Sequence, residues 1–233
     1  MSADHPLNVA GEPRAFFVRR SGKRLHRGQD ELFKTLLPQL EITLSEGMLD
    51  PAALLPGKSG YILEIGYGGG EHLALEASRA PGTGFIGCEV FSGGIAKLVQ
   101  AIDEQSLSNI RLYTDDALKL LLKLPTAALD GVYLLYPDPW PKTRHHKRRF
   151  VSATTLREMA RVVKPGGFFR FASDIEDYAN WTLAQVIREK SWRFEPGAAG
   201  SWHVPYPGWE PTRYEEKARA EGRMTSFYFT FRR

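Results

Sequence analysis

Cysteine is almost missing from this chain: Cys88 stands alone among 233 residues. One thiol can form neither an intramolecular disulfide nor a cysteine-based zinc site. Long apolar runs are missing as well. None approaches the roughly 18 residues of a membrane span, and the N-terminus lacks the apolar core of a signal peptide. These absences predict a soluble, cytoplasmic protein. Acids are missing in two places where bases crowd. Pro13 to Gln29 holds six Lys/Arg (Arg14, Arg19, Arg20, Lys23, Arg24, Arg27) and no acid. Lys142–Arg149 holds five more, and no acid follows Asp138 until Glu158. Eleven of the 31 Lys/Arg thus lie in two short segments, and the other 20 face 27 acids, a balance of −7 within a net charge of +4. Such a body does not adhere to polyanions at large; two patches would have to bind them.

What is present suits one domain. The 42% hydrophobic and 25% charged fractions are ordinary for a globular chain with a sizeable core. Residues 1–29 read as a basic, extended or disordered segment, and 30–233 as a single domain. Short apolar runs at Tyr61–Ile65, Gly84–Cys88, Ile110–Tyr113, Gly131–Tyr136 and Phe168–Ala172 read as buried strands. Helical patterns fall between them at 71–80, 93–106, 116–124 and 152–163, the last closed by Lys164-Pro165-Gly166-Gly167. Another follows at 175–190, and one precedes the sheet at Asp30–Leu40. This alternation predicts an α/β fold with a doubly wound, mainly parallel sheet. The β-rich run Ser226–Phe231 would add an antiparallel edge strand at the C-terminus.

The most unusual stretch is Tyr136-Pro137-Asp138-Pro139-Trp140-Pro141-Lys142, continued by Thr143-Arg144-His145-His146-Lys147-Arg148-Arg149. Each proline fixes its own φ and biases the preceding residue toward extended geometry, so the loop is stiff enough to aim Asp138 and Trp140. The basic run suits a polyanion, RNA or DNA. His145 and His146 have no further ligands nearby, which predicts no metal site.

Ligands of such sheets bind beyond the carboxyl ends of the strands. That rule gathers Gly66–Gly70, Glu89, Asp115/Asp116, Asp138 and Ser173/Asp174 on one rim. The turn Gly66-Tyr67-Gly68-Gly69-Gly70 allows close backbone approach to a ligand, but Glu71 stands where a dinucleotide fingerprint wants glycine, and no Walker lysine follows. Glu64 and Glu71 would repel a pyrophosphate and suit a cation instead. Glu89, closing the second strand, is placed to accept both hydroxyls of a ribose. Asp116 and Ala117, beyond the third strand, are placed to read an adenine amino group. Adenosine, a cation and no phosphate together describe S-adenosylmethionine. Asp115 reads as a helix cap or solvated turn.

Leu63-Glu64-Ile65-Gly66 with Gly68 and Gly70, the Pro137–Lys142 loop and the Arg144–Arg149 run resemble the bacterial tRNA (guanine-N7-)-methyltransferases. Ser173-Asp174 with Tyr178, and Pro211-Thr212-Arg213-Tyr214-Glu215, extend the resemblance to about residues 14–231. It implies a class I methyltransferase that methylates N7 of a guanosine at position 46, in the variable loop of tRNA. Glu64, Gly66, Gly68, Glu89, Asp116, Ala117 and Asp138 would contact S-adenosylmethionine, with Asp138 also catalytic. Lys142, Asp174, Thr212, Arg213, Tyr214 and Glu215 would hold the target nucleotide. Arg144, His145, His146, Lys147, Arg148 and Arg149 would contact RNA. The partner implied is tRNA, with neither membrane nor DNA, for a monomer or weak homodimer. Thr143 departs from the family pattern, which often carries another basic residue there. Two other readings compete: an exocyclic-amine methyltransferase, because Asp138-Pro139-Trp140 partly matches the D-P-P-W/Y motif, and a non-catalytic RNA-binding scaffold.

Overall fold

A computed structural model describes residues 20–22, 24–196 and 202–233. The extended or disordered character expected of residues 1–29 falls mostly on residues outside these. Seven strands form one sheet: Gly60–Ile65 (β1), Thr83–Cys88 (β2), Ile110–Tyr113 (β3), Leu129–Leu135 (β4), Val163–Ser173 (β5), Arg193–Glu195 (β6) and Phe227–Arg232 (β7). Their order is β3-β2-β1-β4-β5-β7-β6. The first five are mutually parallel, and β7 runs antiparallel to both β5 and β6. The C-terminal strand is therefore antiparallel as expected, and the three-residue β6 lies outside it. Too short to show a periodicity, β6 left no pattern in the sequence.

The inner strands are apolar throughout because both faces are covered. Leu63, Ile65, Ile86, Val132 and Leu134 turn toward one core, packed beneath Ala117–Lys123 (α6), Ala153–Val162 (α7) and Glu176–Glu189 (α8). Phe85, Ile110 and Leu112 turn toward the other, beneath Arg27–Thr35 (α1), Leu37–Leu40 (α2), Glu71–Arg79 (α4) and Ser92–Glu104 (α5). The short Pro51–Leu54 helix (α3) precedes β1. Farther along this second face, Tyr133, Leu135 and Ala172 lie under Tyr206, Trp209 and Tyr228. Each fully buried large apolar side chain contributes about 1.5–3 kcal/mol. Among the described residues, no helix is long and apolar enough to cross a membrane.

Three boundaries differ from expectation for local reasons. The helix expected over Asp30–Leu40 begins at Arg27 and breaks at Leu36. Pro38 has no N–H for the carbonyl of Lys34, and its ring crowds that oxygen. The Lys164–Gly167 punctuation does end α7, yet β5 has already begun at Val163. Pairing jumps from Leu129–Val163 to Gly131–Phe168, so the Pro-Gly-Gly stretch is a bulge within the strand. Arg213–Ala220 (α9), read only as a substrate segment, is a helix capped by Thr212, whose hydroxyl accepts from the Glu215 N–H at 3.2 Å.

Candidate active site

The turn after β1 needs glycine for its backbone angles: Gly66, Gly68 and Gly70 have φ of +70°, +57° and +79°. A Cβ built on Gly66 or Gly68 would meet no atom within 4 Å, so the turn faces open space on the rim. Glu89 stitches this turn to the start of α5. One carboxylate oxygen accepts from the Gly68 N–H at 2.9 Å, and the other from Val90 and Phe91 N–H at 2.7 and 3.0 Å. A carboxylate offers about four acceptor sites. One hydroxyl therefore fits beside Glu89 without displacing a backbone donor, and the second must share or displace one.

The helix cap lies at Asp116 rather than Asp115. Asp116 is buried, and its Oδ1 accepts from the Leu118 N–H at 3.0 Å. Ala117 heads α6, where an N–H has no partner within the helix. Asp115 instead pairs with Arg20 and Lys119, each at 2.8 Å. These neighbours hold its carboxyl below the ordinary aspartate range, against the opposing effect of burial. Glu64 is 2% exposed and lies beneath the rim, accepting from His72 Nδ1–H at 2.7 Å. Acceptor-only groups and an open glycine turn suit a ligand bearing hydroxyls and cations, and the set fits S-adenosylmethionine.

The Asp138 loop is stiff in a way proline alone does not give. Tyr136 and Trp140, on either side of Pro137-Asp138-Pro139, take φ of +50° and +45°. Such left-handed non-glycine residues cost of order 1–3 kcal/mol each and persist where surroundings over-determine them. Tyr136 donates its N–H to Ala172 at 2.8 Å, and its hydroxyl lies 3.2 Å from Ser226 Oγ. Asp138 itself is exposed at the rim. Desolvation by the surrounding loop raises its pKa above the ordinary 3.8.

The basic run forms a 3₁₀ helix over Thr143–Arg148, and it divides. Lys142, Arg144 and Lys147 are exposed. Arg148 lies over the Trp140 ring at 4.9 Å, and His145 meets the same ring edge-on. Partial desolvation and the cations around it, Arg148 and Arg144 foremost, hold the His145 imidazole below its ordinary pKa. His146 turns inward against Trp181. Arg149, expected among the RNA contacts, is 2% exposed and bonded within the protein, unlike the exposed members of the run.

The expected target residues assemble from three segments. Tyr214 lies 5.1 Å, ring to ring, from Tyr136, and its hydroxyl is 3.5 Å from both oxygens of Asp174. Arg223 closes the same carboxylate at 2.8 Å, leaving the Asp174 side chain 2% exposed. Arg213 is exposed, and Thr212 serves as the cap. Glu215 is fully buried. It accepts from Trp209 Nε1–H at 3.1 Å, from the Tyr228 hydroxyl at 2.6 Å and from Arg219. As placed, Glu215 holds α9 together through these three donors.

Reasoning from sequence missed His72 and its partners. His72 Nε2 lies 2.6 Å from the Tyr206 hydroxyl, so one buried ring links Glu64 to the segment crossing toward α9. Burial disfavours the imidazolium, but Glu64, by charge and hydrogen bond, outweighs it and raises the pKa. The one available signal was position: His72 stands beside Leu73 on the buried face of α4.

Residues 58–227 match the family model described as "Putative methyltransferase". The chain is 49% identical over 232 residues to a tRNA (guanine-N(7)-)-methyltransferase of Bartonella quintana (strain Toulouse), covering 98% of both. A protein of the same name from Rhizobium johnstonii (strain DSM 114642 / LMG 32736 / 3841) is 51% identical over 221 residues, covering 94% of each. Among solved structures, the 16S rRNA methyltransferase KamB superposes with a TM-score of 0.54 at 16% identity, over 79% of this chain and 94% of that one. The antibiotic-resistance methyltransferase Kmr gives 0.52 at 15%, over 82% and 93%. At such identities the two structures show the fold alone.

Proposed function

The chain belongs to the bacterial tRNA (guanine-N7-)-methyltransferase family, and on that premise we propose that Asp138 is its catalytic carboxylate and guanosine 46 its target. It is an enzyme that transfers a methyl group from S-adenosylmethionine to N7 of a guanosine in tRNA. What supports the assignment to Asp138 is the loop: the one rim acid set between two left-handed residues, exposed, and next to the basic run.

S-adenosylmethionine supplies an electrophilic methyl on a cationic sulfur. Gly66, Gly68, Glu89, Asp116 and Ala117 would hold its adenosine. Glu64, oriented by His72, would supply negative charge beneath the turn. Guanine N7 carries a lone pair and no proton, so no residue has to act as a base. The protein's work is alignment and electrostatics. As positive charge builds on the purine, the fixed Asp138 carboxylate stabilises it, or accepts from guanine N1–H and the 2-amino group. Lys142, Arg144 and Lys147 would take phosphates, which fix register without reading sequence. Asp174 would accept from the guanine edge once Arg223 and Tyr214 give way. Position 46 lies within folded tRNA, so N7 becomes reachable on local opening or extrusion of the base.

Site mapping tests the target. Unmodified tRNA methylated by the enzyme is reduced with borohydride and cleaved with aniline, which breaks the chain at 7-methylguanosine. A single cut at position 46, absent from a transcript carrying adenosine there, is the expected result. A cut elsewhere would overturn the assignment to position 46.

A further inference from the structure

We propose that Arg149 is a positioning residue for the methyl transfer, acting through the Asp138 loop rather than on RNA. The inference rests on the reading of Asp138 as the catalytic carboxylate. The last residue of a basic run would ordinarily be solvated, yet the Arg149 side chain has no exposed surface at all. A buried guanidinium is costly unless it is paired and hydrogen-bonded. Arg149 Nε donates to the carbonyl of Pro139 at 2.8 Å, and Nη2 pairs with Asp177 at the start of α8. Its plane lies against two rings of the same helix, with Cζ 4.9 Å from the centre of Tyr178 and 5.3 Å from that of Trp181. His146 approaches the same Asp177 oxygen at 3.6 Å.

The position of that carbonyl gives the contact its meaning. Pro139 directly follows Asp138 and precedes Trp140, whose φ is +45°. Holding the Pro139 oxygen fixes the peptide plane leading into Trp140, and with it the strained exit of the loop. The entry is fixed by Tyr136, whose N–H reaches Ala172 on β5. Only Pro137, Asp138 and Pro139 lie between these anchors, and two of the three have φ fixed by a ring. Asp138 therefore has little freedom while both anchors hold. Without Arg149 the exit anchor is lost and the left-handed Trp140 can relax. The contact requires a fork: one nitrogen for the carbonyl and another for Asp177. A lysine keeps the charge but is a single point donor.

The test is single-turnover methyl transfer at saturating tRNA and S-adenosylmethionine, with Arg149→Lys in the wild-type and Asp138→Asn backgrounds. Misplacing a reacting group by about 1 Å costs roughly 100-fold, so Arg149→Lys should lower the rate by about 10- to 100-fold in the wild-type background. Dissociation constants of S-adenosylmethionine and tRNA, measured separately, keep the rate at saturation a readout of the transfer step. In the Asp138→Asn background the same substitution should change the rate by no more than about twofold, because there is no carboxylate left to aim. Asp177→Asn, at the exposed end of the contact, should give a smaller fall with the same dependence on Asp138, and it carries the test if Arg149→Lys does not fold. Equal losses in both backgrounds would show a merely structural residue and overturn the inference. So would an unchanged rate with weaker tRNA binding and a shallower salt slope, which would return Arg149 to the phosphate ligands. Should Asp138→Asn alone retain full rate, the reading of Asp138 fails first, and that is visible before any Arg149 variant is made.

Discussion

On the β1–β3 half of the rim, two acids are held by backbone, Glu89 by Gly68, Val90 and Phe91, and Asp116 by Leu118, while Asp115 and Glu64 meet side chains. On the β4–β5 half, Asp174 and Glu215 are held by side chains from residues 209–228, remote in sequence from Asp174 and close to Glu215. Asp174 meets Arg223 and Tyr214, and Glu215 meets Trp209, Tyr228 and Arg219. The first arrangement is built into the turns and stands ready before a ligand arrives. The second depends on α9 docking, and it leaves the Asp174 carboxylate covered until its partners move. A preformed cofactor half beside a target half that must rearrange suits a small cofactor and a large folded substrate.

Four variants probe that contrast. Glu89→Ala should act most strongly, because it removes both a ligand acceptor and the stitch of the glycine turn. Loss of a charge-assisted acceptor costs about 1.5–3 kcal/mol, roughly 10- to 150-fold in the dissociation constant of S-adenosylmethionine by calorimetry. An unchanged constant would place the cofactor elsewhere. Glu215→Gln should act next, on stability rather than on the cofactor. Weakening a buried acceptor with three donors should cost about 1–3 kcal/mol in denaturant unfolding. Unaltered unfolding with an impaired KM for tRNA would instead put Glu215 against the base.

Replacing Arg144 and Lys147 with Ala should weaken tRNA binding and flatten the plot of log affinity against log salt by about 0.7–0.9 per lost phosphate contact. Cofactor affinity should not change. An unaltered slope would show that this face of the run does not meet the backbone. The smallest effect expected is from His72→Gln. Because the folded pKa of His72 lies above the unfolded 6.5, the Glu64–His72 pair contributes fully below pH 6.5 and loses that contribution as pH rises through the raised value. The gap in Tm between wild type and variant should therefore narrow as pH rises above 6.5 and through the raised value. A gap that widens with pH would mean the ring is held neutral.

The same contrast explains what the sequence disclosed. Elements whose cause is local were legible: the strand runs, the glycine turn, the Pro137–Pro141 corner, and Glu89 closing β2. Whatever depends on residues far apart was not. Arg149 reads as one more charge in a basic run until Asp177, 28 positions on, is seen to pair with it. His72 gains its meaning from Tyr206, 134 positions away. Glu215 matched a motif for the target site, yet its burial follows from Trp209 and Tyr228, which no spacing links to it. Asp115 and Asp116 are adjacent acids at a helix start, and only the geometry decides which one caps.

The central claim is that Asp138 contributes a fixed negative charge and removes no proton. Single-turnover methyl transfer by wild type and Asp138→Asn from about pH 5 to 9, with binding measured separately, tests it directly. Asp138 carries a raised pKa, so the wild-type rate should fall only on the acid side, through a value above the ordinary 3.8, and stay level from neutrality upward. Asp138→Asn should fold, bind tRNA, lose most of the rate and lose that acid limb. A variant with near-full rate would contradict a catalytic Asp138. A wild-type rate that keeps rising log-linearly through neutral pH at constant binding would contradict transfer without a base, and would favour methylation of an amine.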